Sequence, residues 1–111
     1  MEKAIWLSYD LGIGGDYDHL YEWLDNYGAI ECGDSVAFLK MKFPQNSSDE
    51  DIVEKLKKEL EENISIEPKR SRIYFIRREE DRIKGSFIFG SRKGNPWDGY
   101  GSRNSSDDID G

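Results

Sequence analysis

Little in this chain suits a covalent mechanism. One cysteine, Cys32, and one histidine, His19, occur among 111 residues. No intramolecular disulfide can form, no zinc-type cluster is spelled out, and the two residues lack a nucleophile–base context. A lone cysteine reads as a small buried residue in a reducing compartment, so a cytoplasmic setting is expected. No apolar run approaches the roughly 18 residues of a membrane span, and "MEKAIW" lacks the long apolar stretch of a signal peptide. No membrane partner is expected. Glycines are present but not in a nucleotide-binding pattern. "GIGGD" at 12–16 lacks both the dinucleotide fingerprint and the Lys-Ser/Thr pair of a phosphate loop, so it reads as a turn.

What the chain has in quantity is charge, and the charge is divided. The net value is −7. Residues 1–68 carry six Lys and sixteen acids, residues 69–103 carry ten Lys or Arg and four acids, and the last eight residues add three acids. A basic segment on an acidic chain can still form an anion-binding face, because fields act over about 8 Å at physiological salt. The alternative is that the halves neutralise each other in the fold. Fourteen aromatics argue for a packed core in a chain sized for one domain.

Periodicity supplies the elements. Residues 4–11 read as a strand that stops at Gly12. Asp16 is placed to cap a helix whose Tyr17, Leu20, Tyr21, Leu24 and Tyr27 share a face, and Gly28 closes it. In "AIECGDSVAFLKMKF", Gly33-Asp34 signals a two-residue hairpin turn, with Ala37, Leu39, Met41 and Phe43 alternating against Phe38, Lys40 and Lys42. Ser48 and Asp51 form a capping-box pattern for a helix over about 49–63 that buries Ile52, Val53, Leu56 and Leu60. Its other face carries Glu54, Lys58 and Glu62 at four-residue spacing, pairs that steady an exposed helix. "RIYFIRR" and "IKGSFIFGS" read as strands joined by a turn at "EEDR".

The order β-α-β-β-α-β-β predicts an α+β, ferredoxin-like domain over 1–103 with an extra C-terminal strand and two helices on one face of an antiparallel sheet. Residues 104–111 read as a disordered acidic tail. Within Asn95–Gly101, Trp97 and Tyr100 either pin the chain onto the sheet or form a stacking surface for a partner.

The remaining chemistry lies in carboxylates: Asp10, Asp16, Asp18 and Asp34. Magnesium takes oxygen ligands and keeps water, so one or two carboxylates suffice when a phosphate completes the shell. Asp10, at a strand end, is the best placed.

A first strand ending in "SYD", a helix, a strand centred on "DSVAFLKMKF", a second charged helix and "SRIYFI" together resemble a known group over about residues 4–77. It is the small CRISPR-associated ferredoxin-like protein of the adaptation complex, whose wider group includes virulence-associated protein D. The resemblance implies a homodimer in which Asp10 of each subunit faces across a cleft and shares a divalent ion, with Ser35 as a supporting residue near the phosphate. Members are described as metal-dependent nucleases or as DNA-holding scaffolds. The expected function is therefore a nucleic-acid-associated dimeric protein, possible as a magnesium-dependent endonuclease. Asp10 is the metal ligand and catalytic residue, and Ser35, Arg70, Arg72, Arg77 and Arg78 are the DNA or RNA contacts. On a strand Arg70 and Arg72 share a face, while Arg77 and Arg78 point opposite ways, so only one of the latter pair joins them. The alternative is a non-catalytic interaction module whose acidic first half engages a basic protein or inhibits a nucleic-acid enzyme.

Overall fold

A computed structural model of the chain describes residues 1–102; the expected tail at 104–111 lies outside them. Seven elements follow in the order β1 (Glu2–Asp10), α1 (Tyr17–Asn26), β2 (Ile30–Glu31), β3 (Val36–Lys42), α2 (Asp49–Asn63), β4 (Arg72–Glu79) and β5 (Arg82–Phe89). The strands form one antiparallel sheet in the order β2-β3-β1-β4-β5. The architecture is α+β, two helices and five strands, consistent with a ferredoxin-like type of fold. No helix among the described residues is long and apolar enough to cross a membrane.

Alternation along the strands decides which face is covered. Ile5 and Leu7 of β1, Ala37, Leu39 and Met41 of β3, and Ile73 and Phe75 of β4 are buried in one cluster with Leu20, Trp23 and Leu24 of α1 and Ile52, Leu56 and Leu60 of α2. The odd-numbered residues of β1, β3 and β4 thus lie under the helices. Their even-numbered neighbours face away, and Ile88, the extra residue of a bulge in β5 opposite Ile73–Tyr74, turns back into the core.

The helix ends form as their caps dictate. The Asp16 carboxylate accepts from the His19 backbone N–H at 3.4 Å and from Ser65 N–H at 2.8 Å, tying the start of α1 to the chain leaving α2. Ser48 and Asp51 bond reciprocally in a full capping box. Between β1 and α1, Gly12 and Gly14 sit at φ of +78° and +77°, a region costly for side chains, and Gly15 N–H closes the turn on Gly12 C=O.

Four local expectations change. Cys32, expected as a small buried residue, is exposed in the β2–β3 connection. In α1 it is Trp23, not Tyr21, that fills the core, because the helix packs against α2 and Trp23 Nε1 donates to Glu59 there; Tyr21 is exposed. Residues 32–35 form the β2–β3 connection with Ser35 at φ +63°, so the turn is longer than the two-residue Gly33-Asp34 hairpin. Trp97 and Tyr100 are not pinned onto the sheet: they are 65% and 88% exposed, in a short turn held by Asp98 N–H to Asn95 C=O and Tyr100 N–H to Trp97 C=O.

Candidate functional site

Among the described residues no helix or strand covers the face of the sheet away from the helices. Register across it runs Ile30, Phe38, Trp6, Ile76, Gly85 in one row and Val36, Ser8, Tyr74, Phe87 in the next. Trp6 and Phe38 pack with ring centroids 5.0 Å apart, and Tyr74 and Phe87 meet edge-on at 4.9 Å. The Tyr74 ring lies across Gly85, where an added Cβ would come within 2.8 Å of Tyr74 Cζ. A side chain at that position would have to displace the Tyr74 ring.

At one end of this face Ser8, Asp10, Arg72, Tyr74, Phe87 and Arg92 line a cavity of about 270 Å³. β1 and β4 bring Asp10 and Arg72 directly opposite each other. Arg92 reaches back from beyond β5, its guanidinium carbon 5.6 Å from the Tyr74 ring centre and 5.8 Å from that of Phe87. The Arg72 guanidinium also lies 5.8 Å from the Phe87 ring. Two guanidiniums over one aromatic pair are attracted by the ring quadrupoles. The Arg72 Nε–H is buried without a hydrogen-bond partner among the described residues.

Of the residues expected from sequence, the fold brings three to this end. Asp10 is exposed, and its Oδ1 accepts from Gly12 N–H at 2.9 Å, an Asx turn that ends the strand. Ser35 is one strand away, its C=O accepting from Tyr9 N–H. Arg72 is in the cavity. Arg70 precedes β4 in a turn rather than sharing its face, and its Nη1 donates to Ile13 C=O at 2.9 Å, which holds the glycine loop. Arg78 is on the open face but at the far end of β4, six residues or roughly 20 Å from Arg72.

Arg77 is placed elsewhere altogether. It points under the helices, 3% exposed, with Nη2 2.5 Å from Asp49 and Nε 3.0 Å from Glu79. Lys84 also bonds Asp49, and Lys3 bonds Glu79, so five charges form one chain between the start of α2 and the strands. Lys84 first, then Arg77, holds the Asp49 carboxyl below its usual range, and Lys3, then Arg77, does the same for Glu79. With its guanidinium engaged by two carboxylates, Arg77 is not free to meet a phosphate.

The sequence reading missed Trp6, Tyr74, Phe87 and Arg92. A signal was there for the first three. Trp6 alternates with Ile5 and Leu7, and Tyr74 with Ile73 and Phe75, so each strand carries an aromatic ring on the side opposite its apolar face, though only one side can meet the helices. Arg92 had no signal, since its approach depends on how the chain leaves β5.

Among the described residues no group of three or more His, Cys, Asp and Glu side chains is gathered so as to hold a metal ion. Asp10 is the only carboxylate in its cavity, faces Arg72, and already accepts a backbone N–H. Among the described residues one carboxylate is thus all that one chain offers a cation there.

Comparisons with protein-family models, with curated proteins and with solved structures find no match to this chain.

Proposed function

We propose that this chain is a nucleic-acid-associated protein of ferredoxin-like fold that holds a phosphodiester backbone on its open sheet face. The strand order β2-β3-β1-β4, with β5 appended, supports the fold assignment. The observation that carries the function is the charge of that face. On a chain of net −7 it gathers Lys40, Lys42, Arg72, Arg78 and Arg92 against Glu2 and Asp10. Guanidinium groups bind phosphate oxygens with charge-assisted, often bidentate bonds, and backbone contacts dominate nucleic-acid affinity.

Fluorescence anisotropy of labelled oligonucleotides across a salt series tests this. With three to five contacts to a single strand, log K should fall against log salt with a slope of about −2 to −3.5. Absence of binding at low salt would sink the reading. A hydrolytic version, as the resemblance implies, needs a second Asp10 from a homodimer, because one chain offers one carboxylate. In that version magnesium-dependent cleavage disappears in Asp10→Asn, and cleavage that survives removes Asp10 from the mechanism.

A second reading rests on the helices. α1 with its Asp16 cap carries four acids and no Lys or Arg, and α2 carries seven acids against three lysines. That layer suits a basic protein partner, and a stable complex with a basic enzyme, combined with no nucleic-acid affinity, would favour it over the first.

A further inference from the structure

Resting on the nucleic-acid reading, we infer that the ligand of the open face is a single strand whose bases stack on the sheet. The two aromatic pairs of this face are not equivalent. Tyr74 and Phe87 are approached by the guanidiniums of Arg72 and Arg92, whereas among the described residues no cation lies over Trp6 or Phe38. The first pair thus carries the cations that meet phosphate, and the second, half-buried, is left without a cation over it. Trp6 and Ser8, which lines the Arg72–Arg92 cavity, point the same way two residues apart on β1, a separation of about 7 Å. One nucleotide can therefore rest its base against Trp6 and Phe38 while its phosphate lies between Arg72 and Arg92. A phosphate oxygen there would also give the buried Arg72 Nε–H the acceptor it lacks.

A duplex uses these features poorly. Its bases are stacked inside, so it offers an aromatic sheet only phosphates and sugars, while a single strand can turn each base face onto a ring. Charge complementarity selects a polyanion over an apolar occupant, since five cations border the rings against two acids. Asp10 is the one group in the cavity that repels phosphate, and it faces the Arg72 side chain across the register.

The test uses the whole chain with three ligands of equal length: oligothymidylate, an abasic strand that keeps every phosphate, and a duplex. Oligothymidylate should bind at least about tenfold tighter than either other ligand, the scale of one stacked base. Trp6→Leu and Phe38→Leu keep an apolar side chain but remove the ring; each should lose about tenfold on oligothymidylate and leave abasic binding unchanged, with melting temperature reporting that the variants fold. Equal binding of oligothymidylate and the abasic strand, or tighter binding of the duplex, overturns stacking and leaves the phosphate reading intact. No binding of any ligand overturns both. A dimer in sedimentation that excludes oligothymidylate and falls apart in Trp6→Asp assigns the face to a second copy of the chain and also overturns the inference.

Discussion

The two faces of this sheet are made of the same kinds of residue and do opposite things with them. Under the helices, aromatic and cationic side chains are used up: Phe75 is fully buried, and Arg77 is locked between Asp49 and Glu79. On the open face their strand neighbours Tyr74, Ile76 and Arg78 are left half-buried or exposed, with no helix or strand of the described residues over them. The difference teaches that residue type does not mark a functional group here. What marks it is whether the group already has its partners.

The largest test of that contrast is volume. Phe75→Ala or Leu56→Ala on the covered face should cost about 3–5 kcal/mol in urea denaturation, because each leaves a cavity in a fully buried cluster. Trp6→Leu on the open face should cost under about 1.5 kcal/mol. Comparable losses at both would mean that the open face is as tightly packed as the core.

Arginine is the next. Arg77→Ala should destabilise by about 2–3 kcal/mol, less than breaking a wholly buried pair, because Asp49 stands half in solvent. Arg78→Ala should change stability by less than about 0.5 kcal/mol yet flatten the salt slope of nucleic-acid binding by about one phosphate. If Arg77→Ala instead flattens the slope at unchanged stability, the assignment of the two arginines is reversed.

Gly85→Ala probes the open face without touching a charge. The new methyl group meets the Tyr74 ring, which must swing off the sheet and take the seat of Arg92 with it. Stability should fall by about 1 kcal/mol, the scale of a small overpacking cost, and the Tyr74 ring resonances should shift in NMR. Unchanged Tyr74 resonances would mean that the ring does not lie there.

The smallest effect is a pH dependence at the α1 cap. The Asp16 carboxylate bonded to it raises the His19 pKa, and the Ser65 N–H, then His19, lowers that of Asp16. A raised histidine value adds stability below pH 6.5 that is lost as pH rises through it. A lowered carboxylate value adds stability above pH 3.8 that is lost as pH falls through it. The pair therefore supports the helix start most between those limits, and melting temperature should decline slightly from pH 6 to pH 8 in the parent chain but not in His19→Gln.

Much of the frame was legible because it rests on local chemistry. Asp16 and Ser48 are caps whatever surrounds them, since a short polar side chain at a helix start satisfies N–H groups that nothing else reaches. Leu56 and Leu60, or Ile5 and Leu7, announce a buried face by spacing alone. Of the candidate site, Asp10 was legible as the end of its strand, while Ser35 entered only through the family resemblance; the structure sets both at one end of the sheet. The four arginines were not separable in the same way. Arg70 reads as a strand residue until the turn at 68–70 removes it, and Arg77 reads as exposed until Asp49 arrives from a helix twenty-eight positions earlier in the chain.

The amino-acid order settled the elements, their caps and the inward side of α2, because those depend on neighbours within a few residues. Only the tertiary structure decided which face the helices take, which cations they neutralise, and that Arg92 returns over Tyr74 and Phe87. Those outcomes depend on which strands lie side by side, and pairings between residues distant in the chain leave no local trace.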